Sequence, residues 1–373
     1  MIERILYKKI KARLFKGKAI IVLGPRRVGK TTLLKKIEMD IGGKTLFLDG
    51  DEPDVRKKLS DVSSSELKKL AGGNKVLLID EAQRIKNIGV TLKLFTDKIP
   101  EVQVIATGSS SFELANQIKE PLTGRKYEYH LFPFSEGELL RHNGETEERR
   151  LLESRLIYGM YPEVVIPGGG EKETLKEFSG SYLYKDVFAF NEIRKPEMIQ
   201  KLVEALALQI GSEVSINELA QITGSDPMTV ERYVTMLENA FVVFRLRAFS
   251  RNVRNELKKS RKFYFYDNGI RNAIISNFNS LSLRTDTGAL WENFIISERM
   301  KYLHYKDIHA NCYFWRTTQH QEIDYVEERD GKLHAFEFKW NPRKVRFPKT
   351  FADAYPGSEM KTISRDDIIN WLK

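Results

Sequence analysis

Cysteine is almost absent from this sequence: Cys312 is the single one among 373 residues. One thiol cannot form an internal disulfide, so we expect a protein of the reducing cytoplasm in which Cys312 is a buried packing residue. Long apolar runs are also absent, since none approaches the ~18 residues that a membrane-spanning helix needs. The first 18 residues are basic and amphipathic without the apolar segment of a secretory signal, and they predict a helix that caps the first domain. We therefore expect no membrane partner.

Length and composition indicate a folded chain of more than one domain. Hydrophobic residues make up 41% of the sequence and charged residues 30%, which is the balance of a globular protein. A chain of 373 residues exceeds what one hydrophobic core usually organises. The motifs described below divide it into three predicted domains, at 1–165, 166–250 and 251–373.

Positive charge is concentrated toward the end of the chain. The formal net charge is +10, and most of the basic excess lies in residues 241–373. The densest run spans 245–262 and contains one acidic residue, Glu256. Its basic residues are Arg245, Arg247, Arg251, Arg254, Lys258, Lys259, Arg261 and Lys262. Two interpretations remain open for this run: a surface that binds a polyanion such as DNA, and a solvated basic face.

The strongest local signal is the segment GPRRVGKT at 24–31, which matches the phosphate-binding pattern G-x-x-x-x-G-K-[ST]. Its two glycines permit positive φ angles, so that successive backbone N–H groups can face one anion. Lys30 then reaches the outer phosphates, and the Thr31 hydroxyl is a ligand for Mg²⁺. An apolar run precedes the loop and a helical pattern follows it, in the order that the motif requires. The pattern predicts a nucleoside triphosphate site.

Two carboxylates end another buried strand, predicted at 75–79. Carboxyl ends of parallel strands are where α/β folds bind ligands. Asp80 is therefore expected to hold the Mg²⁺ shell, and Glu81 to orient and deprotonate the attacking water. The next predicted strand ends at Thr107, where a hydroxyl of Thr107 or Ser109 can sense the γ-phosphate. A plain serine-rich turn is the alternative at that position.

This order of motifs resembles the AAA-type P-loop ATPases, which insert a catalytic strand into the sheet. Three further stretches, LTGR at 122–125, LFPFSEGE at 131–138 and GMYP at 159–162, are similar to a bacterial and archaeal family of such ATPases. That family carries a fused, uncharacterised C-terminal domain. The resemblance covers nearly the whole chain and implies an α/β fold with a parallel sheet, ATP and Mg²⁺ as cofactors and, by analogy, a homo-oligomeric ring such as a hexamer.

The resemblance also assigns the nucleotide residues. Those expected to contact the nucleotide are Gly24, Pro25, Arg26, Arg27, Val28, Gly29, Lys30, Thr31, Thr32, Asp80 and Thr107. Thr31 and Asp80 are the expected Mg²⁺ ligands, and the side chains of Arg26 and Arg27 should project away from the phosphates. Arg125 is the best candidate for an arginine that stabilises the transferring phosphate, in its own subunit or in a neighbour. An arginine paired with a carboxylate is the competing interpretation.

Residues 215–246 predict a winged helix-turn-helix. A short helix at 216–222 is followed by a glycine turn, and Asp226 then caps a second helix that has Pro227 at its first position. A strand is expected at 241–246. Glu231 and Glu238 on the second helix suit a phosphate-lined groove poorly, so DNA contact by this helix and DNA contact by the following basic run both remain open.

The last predicted domain resembles the restriction-endonuclease-like α/β fold. Its order of elements is a helix bearing Glu292, a strand bearing Asp324 and a strand ending in Glu337-Phe338-Lys339. This is similar to the D-x(n)-[DE]-x-K core of restriction enzymes and Holliday-junction resolvases, with Ile323 where a proline often stands. Residues i and i+2 of a strand share a face, so Glu337 and Lys339 should point together. The resemblance implies Mg²⁺ on Asp324 and Glu337, with Glu292 completing the shell and Lys339 orienting the water.

Three interpretations remain open for that motif: an active nuclease, a nuclease fold kept for binding, and strand-edge charges without chemistry. The leading hypothesis for the whole chain is an ATP-hydrolysing enzyme that acts on DNA, including branched DNA, and that has a nuclease-like module. The alternative is a regulatory ATPase switch that binds a protein partner and has a catalytically silent nuclease fold.

Overall fold

The computed structural model describes residues 2–109, 118, 121–166, 168–182, 196–249, 261–317, 319–342 and 345–372. The chain forms two compact units: unit 1 comprises Met1–Pro133 and Asn239–Phe241, and unit 2 comprises Phe134–Glu238 and Val242–Lys373. The sequence-based boundary at residue 165 thus falls inside unit 2. Among the described residues, no helix combines the length and the apolarity that a membrane crossing requires.

Unit 1 is built on a five-stranded parallel sheet in the order β2-β3-β4-β1-β5. Its strands are β1 (Ala19–Leu23), β2 (Thr45–Asp49), β3 (Val76–Asp80), β4 (Gln103–Gly108) and β5 (Lys126–His130). The three central strands are buried along their whole length, as apolar strands covered on both faces must be. Strand β4 lies between β1 and β3, which confirms the predicted α/β fold with an inserted strand.

The helices of unit 1 follow the predicted pattern. They are α1 (Ile5–Arg13), α2 (Lys30–Ile41), α3 (Pro53–Leu59), α4 (Ser64–Ala71) and α5 (Ile88–Lys98), with a short 3₁₀ turn at Ala82–Arg84. The basic N-terminal stretch forms α1, which buries Leu6, Tyr7 and Ile10. Helix α4 begins with a capping box in which Ser63 and Glu66 satisfy each other's backbone N–H groups.

Unit 2 contains a seven-stranded mixed sheet in the order β12-β11-β10-β9-β7-β8-β6. Its strands are β6 (Glu213–Val214), β7 (Val243–Ala248), β8 (Arg261–Phe265), β9 (Asn311–Arg316), β10 (Glu322–Arg329), β11 (Lys332–Phe338) and β12 (Glu359–Ile363). Strand β7 pairs antiparallel with β8 and parallel with β9. The strands of the predicted helix-turn-helix and of the predicted nuclease-like domain therefore share one sheet.

Unit 2 also contains helices. They are α6 (Glu136–Asn143), α7 (Glu145–Tyr158), α8 (Pro162–Val165), α9 (Glu171–Glu177), α10 (Pro196–Leu208), α11 (Ile216–Thr223), α12 (Pro227–Asn239), α13 (Asn268–Ile274), α14 (Thr287–Tyr305), α15 (Lys349–Ala354) and α16 (Ile368–Trp371). Helices α11 and α12 occupy the two predicted helix-turn-helix positions. The strand after them differs from the prediction, because β7 is an internal strand of the sheet and not a free wing.

The GMYP stretch at 159–162 forms part of a tight junction in unit 2. The Asp267 carboxylate accepts a hydrogen bond from the Met160 N–H at 2.7 Å. A Cβ on Gly159 would lie 2.0 Å from Asp267 Oδ1, and one on Gly269 would lie 2.1 Å from the Tyr158 carbonyl oxygen. Both glycines are therefore required by close packing at a structural junction.

Helix α6 begins with a deeply buried carboxylate. Glu136 is 2% exposed, and its backbone N–H donates to Glu298 Oε2 at 2.6 Å. Glu298 also accepts from Lys301 Nζ at 2.6 Å. Glu136 Oε2 has no hydrogen-bond partner among the described residues. Burial and the nearby carboxylates of Glu298 and Glu148 raise the pKa of Glu136 to about 8, against the opposing charges of Arg155 and Lys301.

Replacing Glu136 by glutamine should flatten the pH dependence of unit 2 stability. The folded wild-type protein holds a proton on Glu136 up to about pH 8, whereas the unfolded chain releases it near pH 4.5. The free energy of unfolding should therefore fall as pH rises through this window, with a slope of up to about 1.4 kcal/mol per pH unit from this group. Denaturant unfolding of wild type and Glu136→Gln between pH 5 and 9 measures the difference.

The exposed Glu153→Gln on α7 is the matched control and should keep the wild-type slope. Parallel curves for wild type and Glu136→Gln would contradict a buried, protonated Glu136.

Candidate nucleotide site

The phosphate-binding segment is a compact loop between β1 and α2. Arg27 and Gly29 have φ angles of 62° and 93°, so the backbone turns repeatedly and can direct its N–H groups to one side. Gly24 serves a different purpose from the one predicted, because it does not have a positive φ. A Cβ at that position would lie 2.1 Å from the Leu131 carbonyl oxygen. Lys30 is 5% exposed, and its Nζ donates to the carbonyls of Gly24 and Pro25, each at 2.9 Å.

Asp80 joins three elements at the carboxyl edge of the sheet. It is 4% exposed at the end of β3. Its Oδ2 accepts a hydrogen bond from the Thr31 hydroxyl at 2.5 Å, and its Oδ1 accepts one from the hydroxyl of the fully buried Thr107. Thr31 lies in the first turn of α2, and Thr107 lies in β4. The structure thus brings three of the predicted site residues together.

Glu81 follows directly and has a strained backbone. Its φ of 46° and ψ of 42° place a non-glycine residue in the left-handed region, at a cost of roughly 1–3 kcal/mol. The Glu81 N–H points toward Asp80 Oδ1 and Thr107 Oγ1, at 3.2 and 3.3 Å. Such strain is retained where the surrounding contacts determine the conformation, as these two acceptors do for the Glu81 N–H.

Two residues that support the site were not predicted. Arg4, 8% exposed, donates to the carbonyl of Val28 in the loop at 2.9 Å and also to the carbonyl of Phe132. Gly50 follows β2 and packs against the end of β3, where a Cβ would lie 2.4 Å from the Glu81 carbonyl oxygen. A lone arginine near the N-terminus and a glycine in an acidic loop carry no motif, so only the folded structure reveals them.

Arg125 does not lie with these residues. It immediately precedes β5, and its carbonyl accepts from the N–H of Ala19 at the start of β1. The phosphate loop follows the other end of β1, about 16 Å away for a five-residue strand. Arg125 Nε instead donates to Asp97 Oδ1 at 2.6 Å, and the arginine side chain is 43% exposed. Within one chain, Arg125 is therefore distant from the phosphate loop and paired with a carboxylate, and a role at the phosphate of a neighbouring subunit stays a prediction.

In unit 2, the predicted nuclease-like residues meet at the end of β11. Lys339 Nζ lies 2.8 Å from Glu337 Oε2 and 3.3 Å from Asp324 Oδ2. Asp324 Oδ2 also accepts the Phe338 N–H at 2.8 Å. The pairing of β10 with β9 changes register between Ile323 and Val326, on either side of Asp324. The contact between Lys339 and Glu337 shows that these two side chains point to the same side.

Glu292 lies beside a second lysine, which the sequence did not single out. Lys262 has a side chain that is 2% exposed, and its Nζ lies 3.1 Å from Glu292 Oε1 and 2.5 Å from Glu322 Oε1. The Tyr264 hydroxyl donates to Glu292 Oε1 at 2.7 Å. Burial opposes ionisation of Lys262, but the two carboxylates outweigh it and raise the pKa of this lysine. Burial, together with the charge of Asp324, raises the pKa of Glu292 to about 7.

These carboxylates are paired with lysines in the structure. Among the described residues, no three Asp, Glu, His or Cys side chains are grouped as a metal ion would require. Glu292 is bound to Lys262 and Tyr264, while Asp324 and Glu337 share Lys339. Lys262 and Lys339 thus hold the predicted ligands Glu292, Asp324 and Glu337 in an ion-pair cluster, and binding of Mg²⁺ by these carboxylates stays a prediction.

Among the described basic residues of the run at 245–262, Arg245, Arg261 and Lys262 are paired with carboxylates. Arg245 pairs with Glu231 and Glu238, each at 2.5 Å, and Arg261 pairs with Glu231 at 2.6 Å. Arg247 is exposed. Arg251, Arg254, Lys258 and Lys259 lie outside the described residues. Glu256 is the one acidic residue within the run itself. The carboxylates that pair with Arg245 and Arg261 belong to α12, which lies earlier in the chain.

Comparison with protein families divides the chain into three matched regions. Residues 16–140 match the family described as AAA domain. Residues 149–281 match a domain of unknown function, DUF8612, and residues 287–366 match another, DUF4143. The first match covers the parallel sheet and every predicted nucleotide residue, so residues 16–140 are similar to AAA domains and have the fold of a P-loop ATPase.

Individual proteins show similarity over most of the chain. An uncharacterized protein of Mycobacterium tuberculosis is 26% identical over 335 residues, which are 89% of this chain and 72% of that protein. An uncharacterized protein of Methanocaldococcus jannaschii is 24% identical over 320 residues, 79% of this chain and 69% of that protein. The Walker-type ATPase of Pyrococcus abyssi superposes with a TM-score of 0.52 at 16% identity, over 74% of this chain and 96% of that structure. That likeness shows the fold.

Replacing Lys262 by methionine should destabilise unit 2 by about 3 kcal/mol, because it leaves two carboxylates without their shared cation. Methionine keeps most of the side-chain volume, so the loss would report on charge. Denaturant unfolding at pH 8 measures it, with the exposed Lys332→Met on β11 as the control. If Lys262→Met has the same free energy of unfolding as the wild type, Lys262 does not stabilise unit 2.

Proposed function

We propose that unit 1 binds ATP together with Mg²⁺ and hydrolyses it at the carboxyl edge of its parallel sheet. One observation carries the proposal: both carboxylate oxygens of Asp80 accept hydroxyl hydrogen bonds, from Thr31 and from Thr107. The first turn after the phosphate loop, the end of β3 and the end of β4 are thereby held at one point. P-loop ATPases place Mg²⁺ and the γ-phosphate between these elements.

The residues present fit a magnesium ion at this point. Mg²⁺ prefers oxygen ligands and is usually held by one or two carboxylates together with substrate phosphates. The Thr31 hydroxyl and the Asp80 carboxylate lie 2.5 Å apart and supply two such oxygens from the protein. Bound there, the ion would offset the negative charge of the phosphates.

Each remaining residue then has a defined part. The loop N–H groups and Lys30 bind the β- and γ-phosphates. Glu81 accepts a proton from the water that attacks the γ-phosphorus, while the bond from that phosphorus to the ADP oxygen breaks. Thr107 holds Asp80 in place from β4 through its hydroxyl hydrogen bond. A ring of subunits remains a proposal, and in such a ring the exposed Arg125 would serve a neighbouring site.

Two substitutions should separate binding from hydrolysis. Lys30→Ala should abolish both, because it removes the cation that holds the outer phosphates. Glu81→Gln should retain ATP binding and lower kcat by about 10²- to 10⁴-fold, because the amide cannot take the proton. Phosphate release and equilibrium binding of a fluorescent ATP analogue measure the two effects. Lys35→Ala, an exposed lysine of the same helix, is the control. Full hydrolysis by Glu81→Gln would exclude Glu81 as the base.

DNA binding by unit 2 is the second candidate function. It is favoured by the net charge of +10, most of which lies in residues 241–373. It is also favoured by the helix-turn-helix formed by α11 and α12. The ion pairs of Arg245 and Arg261 remove those two residues from a DNA surface. The remaining candidates are the exposed Arg247 and the four basic residues between 251 and 259.

DNA cleavage is the finer hypothesis for the cluster around Asp324. Lys339 pairs with both Asp324 and Glu337 in this cluster, and cleavage would require the two carboxylates to bind Mg²⁺ beside that lysine. The other hypothesis is a regulatory ATPase that binds a protein partner. It differs in one measurable respect, since its nucleotide turnover would not respond to DNA.

Removing the four basic residues of the 251–259 segment tests DNA binding. The variant Arg251→Ala/Arg254→Ala/Lys258→Ala/Lys259→Ala should weaken DNA binding and reduce the slope of log affinity against log salt by about 3 to 4, since each phosphate contact releases counterions.

The charge-matched control replaces four exposed lysines of unit 1: Lys57, Lys58, Lys68 and Lys69. Fluorescence anisotropy with duplex and branched DNA across a salt series gives both quantities. Equal slopes for the two quadruple variants, or wild-type affinity that does not respond to salt, would contradict DNA binding through this segment.

A further inference from the structure

Gln83 connects the proposed general base to the end of β4. Its Nε2 donates to Glu81 Oε2 at 2.5 Å and to Ser109 Oγ at 3.0 Å. The side chain is 7% exposed, so water does not compete freely for these bonds. Both donors of the amide are therefore used to join the Glu81 carboxylate to the strand that carries Thr107.

The chemistry of the acceptor fixes the orientation of this amide. A flipped amide would place its oxygen against Glu81 Oε2, where two acceptors would face each other without a proton between them. In the orientation observed, Gln83 Oε1 is buried and has no hydrogen-bond partner among the described residues. A buried amide oxygen without a hydrogen-bond partner is costly. We therefore attribute the presence of Gln83 to the two hydrogen bonds that its nitrogen donates.

The local backbone places the Gln83 side chain beside the Glu81 carboxylate. Glu81 adopts the left-handed conformation, and the 3₁₀ turn Ala82–Arg84 follows at once. The Arg84 N–H closes this turn on the Glu81 carbonyl at 3.0 Å. The turn brings the side chain two positions after Glu81 back beside the carboxylate. The Glu81 N–H meanwhile points to Thr107 Oγ1 at 3.3 Å, so backbone and side chain are both tied to β4.

We propose that Gln83 is a positioning residue for ATP hydrolysis. It holds the Glu81 carboxylate at a fixed position relative to the end of β4. This inference rests on the proposed function of Glu81 as general base. One carboxylate oxygen is occupied by Gln83, and the other is left to face the attacking water. Gln83 contacts neither water nor nucleotide in this role and acts through Glu81.

Two substitutions of Gln83 test the inference with different readouts. Gln83→Met keeps the length of the side chain and removes both hydrogen bonds. It should lower kcat about 10- to 100-fold and leave KM for ATP within twofold, because only the base loses its position. Gln83→Glu replaces the donor by a second carboxylate. The two like charges cannot both remain ionised, so the acidic limb of the kcat–pH profile should move up by at least one pH unit.

Arg84→Met is the matched control, since it alters an exposed residue of the same turn and should retain wild-type kcat. Circular dichroism and ATP-analogue binding establish that each variant is folded. If Gln83→Met does not fold, Gln83→Ala removes the same two hydrogen bonds and gives the same comparison of kcat with KM.

The outcomes distinguish this inference from the proposed function. Absence of ATP hydrolysis by the wild type, or full hydrolysis by Glu81→Gln, would overturn the proposed function and the inference with it. If Glu81→Gln is inactive while both Gln83 variants keep the wild-type kcat and pH profile, the positioning role alone is overturned. An equal change of kcat and KM in Gln83→Met would also overturn it, since that indicates a general loss of structure.

Discussion

The nucleotide site of unit 1 depends on the hydrogen bonds that Asp80 accepts from two hydroxyl groups. A buried carboxylate is costly unless its oxygens are satisfied, and here Thr31 and Thr107 satisfy one oxygen each. Because the two hydroxyls belong to α2 and β4, the requirement to satisfy one side chain also aligns the phosphate loop with two strand ends. The Glu81 N–H bonds to the same pair, Asp80 Oδ1 and Thr107 Oγ1, so the proposed base is oriented by the same contacts.

The sequence was sufficient to predict the parts of the site that follow from parallel strands. Once three apolar strands enter one parallel sheet, residues at or just beyond their carboxyl ends must converge, and Thr31, Asp80 and Thr107 do so. The position of Arg125 could not be predicted in this way. It precedes β5, and the parallel pairing of β5 with β1 places it at the opposite edge. Gln83 was missed for another reason, since its importance arises from a left-handed residue and a single turn that carry no sequence pattern.

Unit 2 shows how charge along a sequence differs from charge in a fold. Arg245 and Arg261 are surrounded by other basic residues in the chain, but the structure pairs them with Glu231 and Glu238 of α12. Those carboxylates had argued against DNA contact by α12, and they turn out to be internal partners. The same sheet that creates these pairs also joins β7 and β8 to β9 and β10, which is why the predicted helix-turn-helix and nuclease-like segments are not separate in space.

The motifs that supported the family resemblance have different physical origins, and this limits what each implies. The phosphate loop is constrained by a ligand, since its backbone must surround an anion. The GMYP stretch is constrained by packing, because a Cβ on Gly159 would displace the Asp267 carboxylate that holds the Met160 N–H. Similarity in a phosphate loop indicates a function, whereas similarity in the GMYP stretch indicates only a fold. In unit 2, the buried or half-buried carboxylates of Glu292, Glu322 and Asp324 are instead held by ion pairs with Lys262 and Lys339.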